Sequence, residues 1–324
     1  MKMKKIAAIV FSAMMMLNMG TAAFAEGTYE DVQDIQPTIK KTYQVNKGKA
    51  PAETFTYKFE GLSYVNGDGN PVANATIPAI APVTITFDEI STTDTKTADV
   101  DIDADDYELG VYKYRVSEAA GNTAGVTYTD TNLYLVLTII RDESSNKHYV
   151  AALHYETENG SKTENGLTNS YDSGSLKVTK HIAGNMAEMS KKFAFTISFA
   201  NPVDREIKSE ITTDATSGKW SEDGLTYTID LGNNESVTFA NIPAGVSYTV
   251  EENPENYTSD HEDNKVQGDI AANDADTATF TNTLTNGSID TGINLDSMPY
   301  IMILCLVAVC AVVMFVRKRT SANR

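Results

Sequence analysis

Apolar residues alternate with polar ones through most of the chain. Phe55-Thr-Tyr57-Lys-Phe59, Val83-Thr-Ile85-Thr-Phe87 and Phe193-Ala-Phe195-Thr-Ile197 all have period two, which predicts half-buried antiparallel strands. Gly, Asn, Asp and Pro punctuate these runs about every ten residues, and no helical apolar period intervenes between the two ends. The expected fold is all-β, and the length fits two tandem sandwiches.

Four landmarks recur in one order. The first copy reads Ile39-Lys40-Lys41, Phe55-x-Tyr57-x-Phe59, Gly110-Val-Tyr-Lys-Tyr114-Arg-Val116-Ser-Glu118 and Leu167-Thr-Asn169. The second reads Leu176-Lys-Val178-Thr-Lys180, Phe193-x-Phe195, Gly245-Val-Ser-Tyr248-Thr-Val250-Glu-Glu252 and Phe280-Thr-Asn282. Lysine precedes glutamate by 77 and 72 residues; glutamate precedes asparagine by 51 and 30. The expected domains are 26–172 and 173–286, joined by a turn-like linker at Tyr171-Asp-Ser-Gly174.

Residues two apart on a strand share a face. Ile39 therefore carries Lys41 inward and leaves Lys40 outside. Leu176 and Val178 carry Lys180 inward. Tyr112, Tyr114 and Val116 share a face with Glu118, and Tyr248 and Val250 share one with Glu252, so Glu251 faces out. Leu167 and Phe280 place Asn169 and Asn282 on the apolar side. Each repeat thus aims a lysine, a glutamate and an asparagine at its own core. Burial disfavours both charges, so the lysine tends to a neutral nucleophilic amine and the carboxyl to a proton-carrying acid. Such an amine, held against the asparagine amide, can form a new amide and expel ammonia while the glutamate shuttles protons.

The ends give the compartment. Lys2, Lys4 and Lys5 precede an apolar run, Ile6 to Met19, that closes on Ala23-Phe24-Ala25; residues 1–25 have the form of a signal peptide. Tyr300 to Val316 is long enough to span a bilayer and is followed by Arg317-Lys318-Arg319. The chain carries a net −18, with +3 on each end segment, leaving about −24 on residues 26–291. That excludes an ordinary nucleic-acid binder. Cys305 and Cys310 both lie in the apolar span, so the exported part has no disulfide to stabilise it.

Residues 99–106 hold five aspartates without the glycine and glutamate of a calcium loop, and read as a solvated strand face. The histidines lack metal-ligand spacing. No nucleophile elbow or phosphate loop is present. Neither a metal nor a cofactor is expected, nor turnover on an external substrate.

Asn169 to Lys180 (NSYDSGSLKVTK) and the Tyr-x-Val-x-Glu strands resemble the streptococcal-type major pilins with intramolecular isopeptide bonds, the T-antigen kind. Residues 287–324 resemble a sortase sorting signal, with Ile289-Asp290-Thr291-Gly292 ahead of the apolar span; Ile and Asp stand where Leu and Pro are usual. The resemblance implies two immunoglobulin-like domains of the collagen-adhesin B type. It pairs Lys41 with Asn169, assisted by Glu118, and Lys180 with Asn282, assisted by Glu252. It further implies that a sortase cleaves after Thr291 and joins it to Lys162 of the next subunit; Lys47, Lys49 and Lys147 are other exposed candidates. The expected partners are identical subunits, a pilus sortase, minor pilins and host surface ligands, on the cell wall after a transient membrane stage. A monomeric wall-anchored adhesin with the same domains is the alternative.

Overall fold

The computed structural model describes residues 35–142, 145–200, 205–208 and 211–286; the signal peptide, the sorting segment with Thr291 and the span 300–316 lie outside them. Alternation produces strands, and strands produce two sandwiches. In the first, one sheet runs in the order β4 (Asp94–Asp99), β1 (Thr38–Val45), β10 (Gly166–Tyr171), β6 (Val126–Thr127). Facing it is a sheet ordered β3 (Val83–Phe87), β2 (Glu53–Asn66), β5 (Gly110–Glu118), β7 (Leu133–Arg141), β8 (His148–Glu156), β9 (Lys162–Thr163).

The second sandwich has one sheet ordered β13 (Thr212–Thr213), β16 (Ser236–Pro243), β11 (Ser173–Ala183), β20 (Ala275–Thr283), β18 (Thr258–Ser259). Its partner is ordered β14 (Lys219–Trp220), β15 (Thr226–Gly232), β12 (Lys192–Ala200), β17 (Ser247–Glu252), β19 (Lys265–Asp269). Each sandwich closes on its own core. Tyr43, Phe55, Tyr57, Phe87 and Tyr114 fill the first, and Phe193, Phe195, Phe239 and Phe280 the second. Among the described residues the only helical turns are two short 3-10 segments.

Three features depart from the sequence reading. Among the described residues the named strands pair antiparallel except where the first and last strands of each domain meet: β1 with β10 and β11 with β20 are parallel. The junction is not a turn either, since Asp172 alone separates β10 from β11. Its amide donates to Gly125 O at 2.9 Å, and its carbonyl accepts from the Ala244 amide at 3.0 Å. Its carboxylate accepts from Asn46 Nδ2 at 3.0 Å and from Asn273 Nδ2 at 2.9 Å. Gly125 has φ of +77°, and a Cβ there would lie 2.7 Å from Asp172 O, so the clamp requires glycine. Ala124, from the first domain, packs into the second core. Hydrogen bonding and apolar burial together fix one domain on the other.

The acidic stretch is also not a continuous strand face. β4 ends at Asp99, Val100 and Ile102 turn inward, and Asp103 caps the 3-10 turn Ala104–Asp106 by accepting from the Asp105 amide at 3.1 Å.

Candidate functional site: two buried Lys–Glu–Asn triads

Register brings each triad together. On the parallel pair β1/β10, Lys41 lies opposite Leu167, which puts Asn169 two residues further along. On β11/β20, Lys180 lies opposite Phe280, and Asn282 is again two residues further along. The glutamates enter from the facing sheets with matched register: Glu118 is opposite Tyr57, and Glu252 is opposite Phe195. The aromatic pairs of the repeat have separate duties. The first ring lies under the lysine, with Nζ 4.3 Å from the Phe55 centroid and 4.6 Å from that of Phe193. The second ring sits beside the glutamate.

Lys41, Asn169, Lys180, Glu252 and Asn282 are all buried, and the Glu118 side chain is 1% exposed. In the first triad the Glu118 carboxyl bridges its partners: Oε2 accepts from Lys41 Nζ and Oε1 from Asn169 Nδ2. The Thr129 amide donates to Asn169 Oδ1 at 2.9 Å. A backbone N–H can only donate, so this contact fixes which Asn169 atom is the carbonyl oxygen, and it polarises that carbonyl toward attack.

In the second triad Lys180 Nζ and Asn282 Nδ2 both approach Glu252 Oε1, at 2.6 and 3.0 Å. The lysine contact is an ion-pair distance without hydrogen-bond alignment, and Glu252 Oε2 and Asn282 Oδ1 have no partner among the described residues. Unpartnered buried polar atoms are costly and call for a reason.

Protonation follows from burial. Desolvation lowers the pKa of Lys41, against the opposing pull of Glu118, and does the same to Lys180 against Glu252. Desolvation raises the Glu252 carboxyl, although Lys180 and Asn282 pull it down. An amine displaced toward neutrality thus stands beside a carboxyl that can carry a proton and a carboxamide that can lose ammonia.

Sequence reasoning missed several neighbours. Thr129 follows β6 in a loop where no alternation marks it. Tyr43 and Tyr57 bury their hydroxyls without a partner, and desolvation raises both phenols well above the ordinary range. Lys162 was expected in a polar loop. It instead begins β9, at the edge of the six-stranded sheet, and is exposed. The other exposed candidates divide. Lys47 Nζ donates to Asn273 O at 3.2 Å and Lys49 pairs with Glu89, both beside a cleft of about 440 Å³ at the domain junction, away from either triad. Lys147 is simply exposed.

Two immunoglobulin-like sandwiches in tandem, each burying one such triad where its first and last strands meet the facing sheet, define a repeated all-β module. Residues 174–284 match the family model described as a domain of unknown function (DUF7601). A curated protein named Pilin, from Streptococcus pyogenes serotype M1, is 30% identical over 311 residues, covering 88% of this chain and 91% of that protein. The crystal structure of the major pilin from Streptococcus pyogenes aligns with a TM-score of 0.54 at 24% identity, covering 79% of this chain and 100% of that one. The T3.2 major pilin of serotype GAS13637 of the same species aligns with a TM-score of 0.52 at 22% identity, covering 77% and 98%. The chain belongs to the pilin family.

Proposed function

We propose that this chain is the backbone subunit of a covalent, sortase-assembled pilus, and that each domain cross-links itself. In each domain the neutral lysine amine attacks the asparagine Cγ. The glutamate takes a proton from the attacking nitrogen and returns one to the leaving nitrogen, which departs as ammonia, and one amide replaces another. Thr129 supports the developing oxyanion in the first domain. The reaction runs once per site and leaves a structural bond, so the protein is not an enzyme in the turnover sense. The observation that carries this reading is the repeated register: two independent cores bury the same three groups with the same two-residue stagger.

The positions of the proposed intermolecular groups agree with it. Asn165 Nδ2 donates to Thr38 O at 2.9 Å, so β9 and the start of β10 lie on the side of the first triad away from the Asp172 junction. β20 runs from Ala275, beside Ser175 near that junction, to Thr283 at the far end of the second domain. Lys162 and Thr283, the end of β20, therefore lie on opposite sides of the domain junction, in keeping with head-to-tail joining. In this reading residues 1–25 direct secretion, the span 300–316 holds the precursor in the membrane, and cleavage after Thr291 passes the chain to Lys162 of a second copy on the cell surface.

The test is a Lys162→Arg substitution in cells expressing the full chain with its sortase. Wall extracts of the parent should give a detergent-resistant ladder, and those of the variant a single species. A single anchored band from the parent would instead favour a monomeric adhesin.

A further inference from the structure

Lys162 is directly opposite Glu156 on the antiparallel pair β8/β9, so the two side chains share the outer face of the six-stranded sheet. A cross-strand lysine and glutamate ordinarily pair. Here they do not: Lys162 makes no ion pair among the described residues. Glu156 is occupied on both oxygens, Oε2 by Lys113 Nζ at 2.7 Å and Oε1 by His154 Nε2 at 2.9 Å. Lys113 reaches across from β5, its Nζ 5.0 Å from the Tyr134 ring centroid of β7.

We infer that Lys113, by holding Glu156, keeps Lys162 unpaired and available as an acyl acceptor. This rests on the assignment of Lys162 as the linking residue. A lysine must be neutral to attack an acyl-enzyme thioester. The ammonium gives up one proton to solvent before attack. As the new amide forms, the amine's second proton goes to the departing cysteine sulfur, which leaves as a thiol. A carboxylate paired with Lys162 would favour its ammonium and slow that step.

The other charged groups of this face do not substitute for Glu156. Glu60 of β2 is engaged by Arg115 of β5, Glu164 by Lys40 of the facing sheet at 2.5 Å, and Glu158 in the turn between β8 and β9 forms no ion pair among the described residues. Lys58 of β2 and Lys162 share the cationic sign. Burial alone would raise the Glu156 carboxyl, but hydrogen bonds from Lys113 and His154 hold it below the usual range, so it is ionised at neutral pH with a donor on each oxygen.

The experiment follows acetylation of Lys162 by an amine-directed reagent from pH 6 to 10, read on its tryptic peptide, in residues 26–291 of the parent, of Lys113→Met and of Lys113→Met/Glu156→Gln. Removing Lys113 should let Glu156 pair with Lys162. That would move the profile to higher pH and slow labelling near neutrality roughly two- to fivefold, as expected for a surface pair. The double variant should regain the parental profile. A Lys113→Met profile identical to the parent's, or a slowed profile that Glu156→Gln does not restore, overturns the inference. Ladder formation in the Lys162→Arg cells tests the acceptor assignment separately, because labelling of Lys162 does not depend on a sortase.

Discussion

In a fibre joined through Lys162 and Thr291, tension enters the chain at Lys162, follows β10 to Asp172, and continues along β11. At Lys180 it can cross to Asn282 and leave through the end of β20. Residues 181–281 then carry no load, and residues before 162 lie outside the path altogether. Replacing Asn282 with Ala removes the crossing. Tension must then be borne by the parallel pair β11/β20, which is pulled in shear through nine backbone pairs. Once those yield, 101 residues enter the path. At about 3.3–3.6 Å per extended residue, each subunit would lengthen by roughly 330–360 Å. Asn169→Ala removes a cross-link of similar kind, but one beside the load path, and should release no comparable length. Single-fibre force spectroscopy on assembled pili can read these steps. Parental and Asn169→Ala fibres should extend without them, and Asn282→Ala fibres should show them. Steps in parental fibres, or none in Asn282→Ala fibres, would refute the proposed load path.

Other consequences are thermodynamic and kinetic. The proposed Lys180–Asn282 bond would close a loop of about 100 residues, worth around 4.7 kcal/mol by chain entropy, so Asn282→Ala should lower the melting temperature of the second domain by roughly 15–25 °C in a calorimetric scan. Thr129→Pro deletes the amide that donates to Asn169 Oδ1. It should slow the first-domain bond about a hundredfold, leaving newly made protein short of one ammonia rather than two by mass spectrometry. Burial lowers the pKa of Lys41 and Lys180 from the ordinary 10.5. Cell-free synthesis at successively lower pH should therefore still give cross-linked chains well below that value, failing only when the lowered pKa is passed; a rate that falls tenfold per unit directly below 10.5 would contradict it.

Much of this was legible because one face of each strand is buried. Alternation about Ile39, Leu176, Val116 and Val250 settled which of two adjacent lysines or glutamates points inward, and the buried Lys41, Lys180 and Glu252, with the exposed Glu251, follow it. The parallel meeting of β1 with β10 and β11 with β20 was not legible, since period two is the same for either direction of pairing. The Thr129 contact was hidden for another reason: its donor is a backbone amide in a loop, and any residue except proline supplies one. The Asp172 clamp was misread as a turn because Asp, Ser and Gly are turn formers by composition, whereas side-chain amides from both domains hold the segment nearly straight. The engagement of Glu156 by Lys113 depends on neighbours from three strands and has no local signature.

The central claim is that both triads react, and intact mass tests it most directly. Purified residues 26–291 should weigh about 34 Da less than the sequence mass, one ammonia for each amide formed, with tryptic peptides joined at Lys41–Asn169 and Lys180–Asn282. An unshifted mass, with those four residues in separate peptides, would contradict the account.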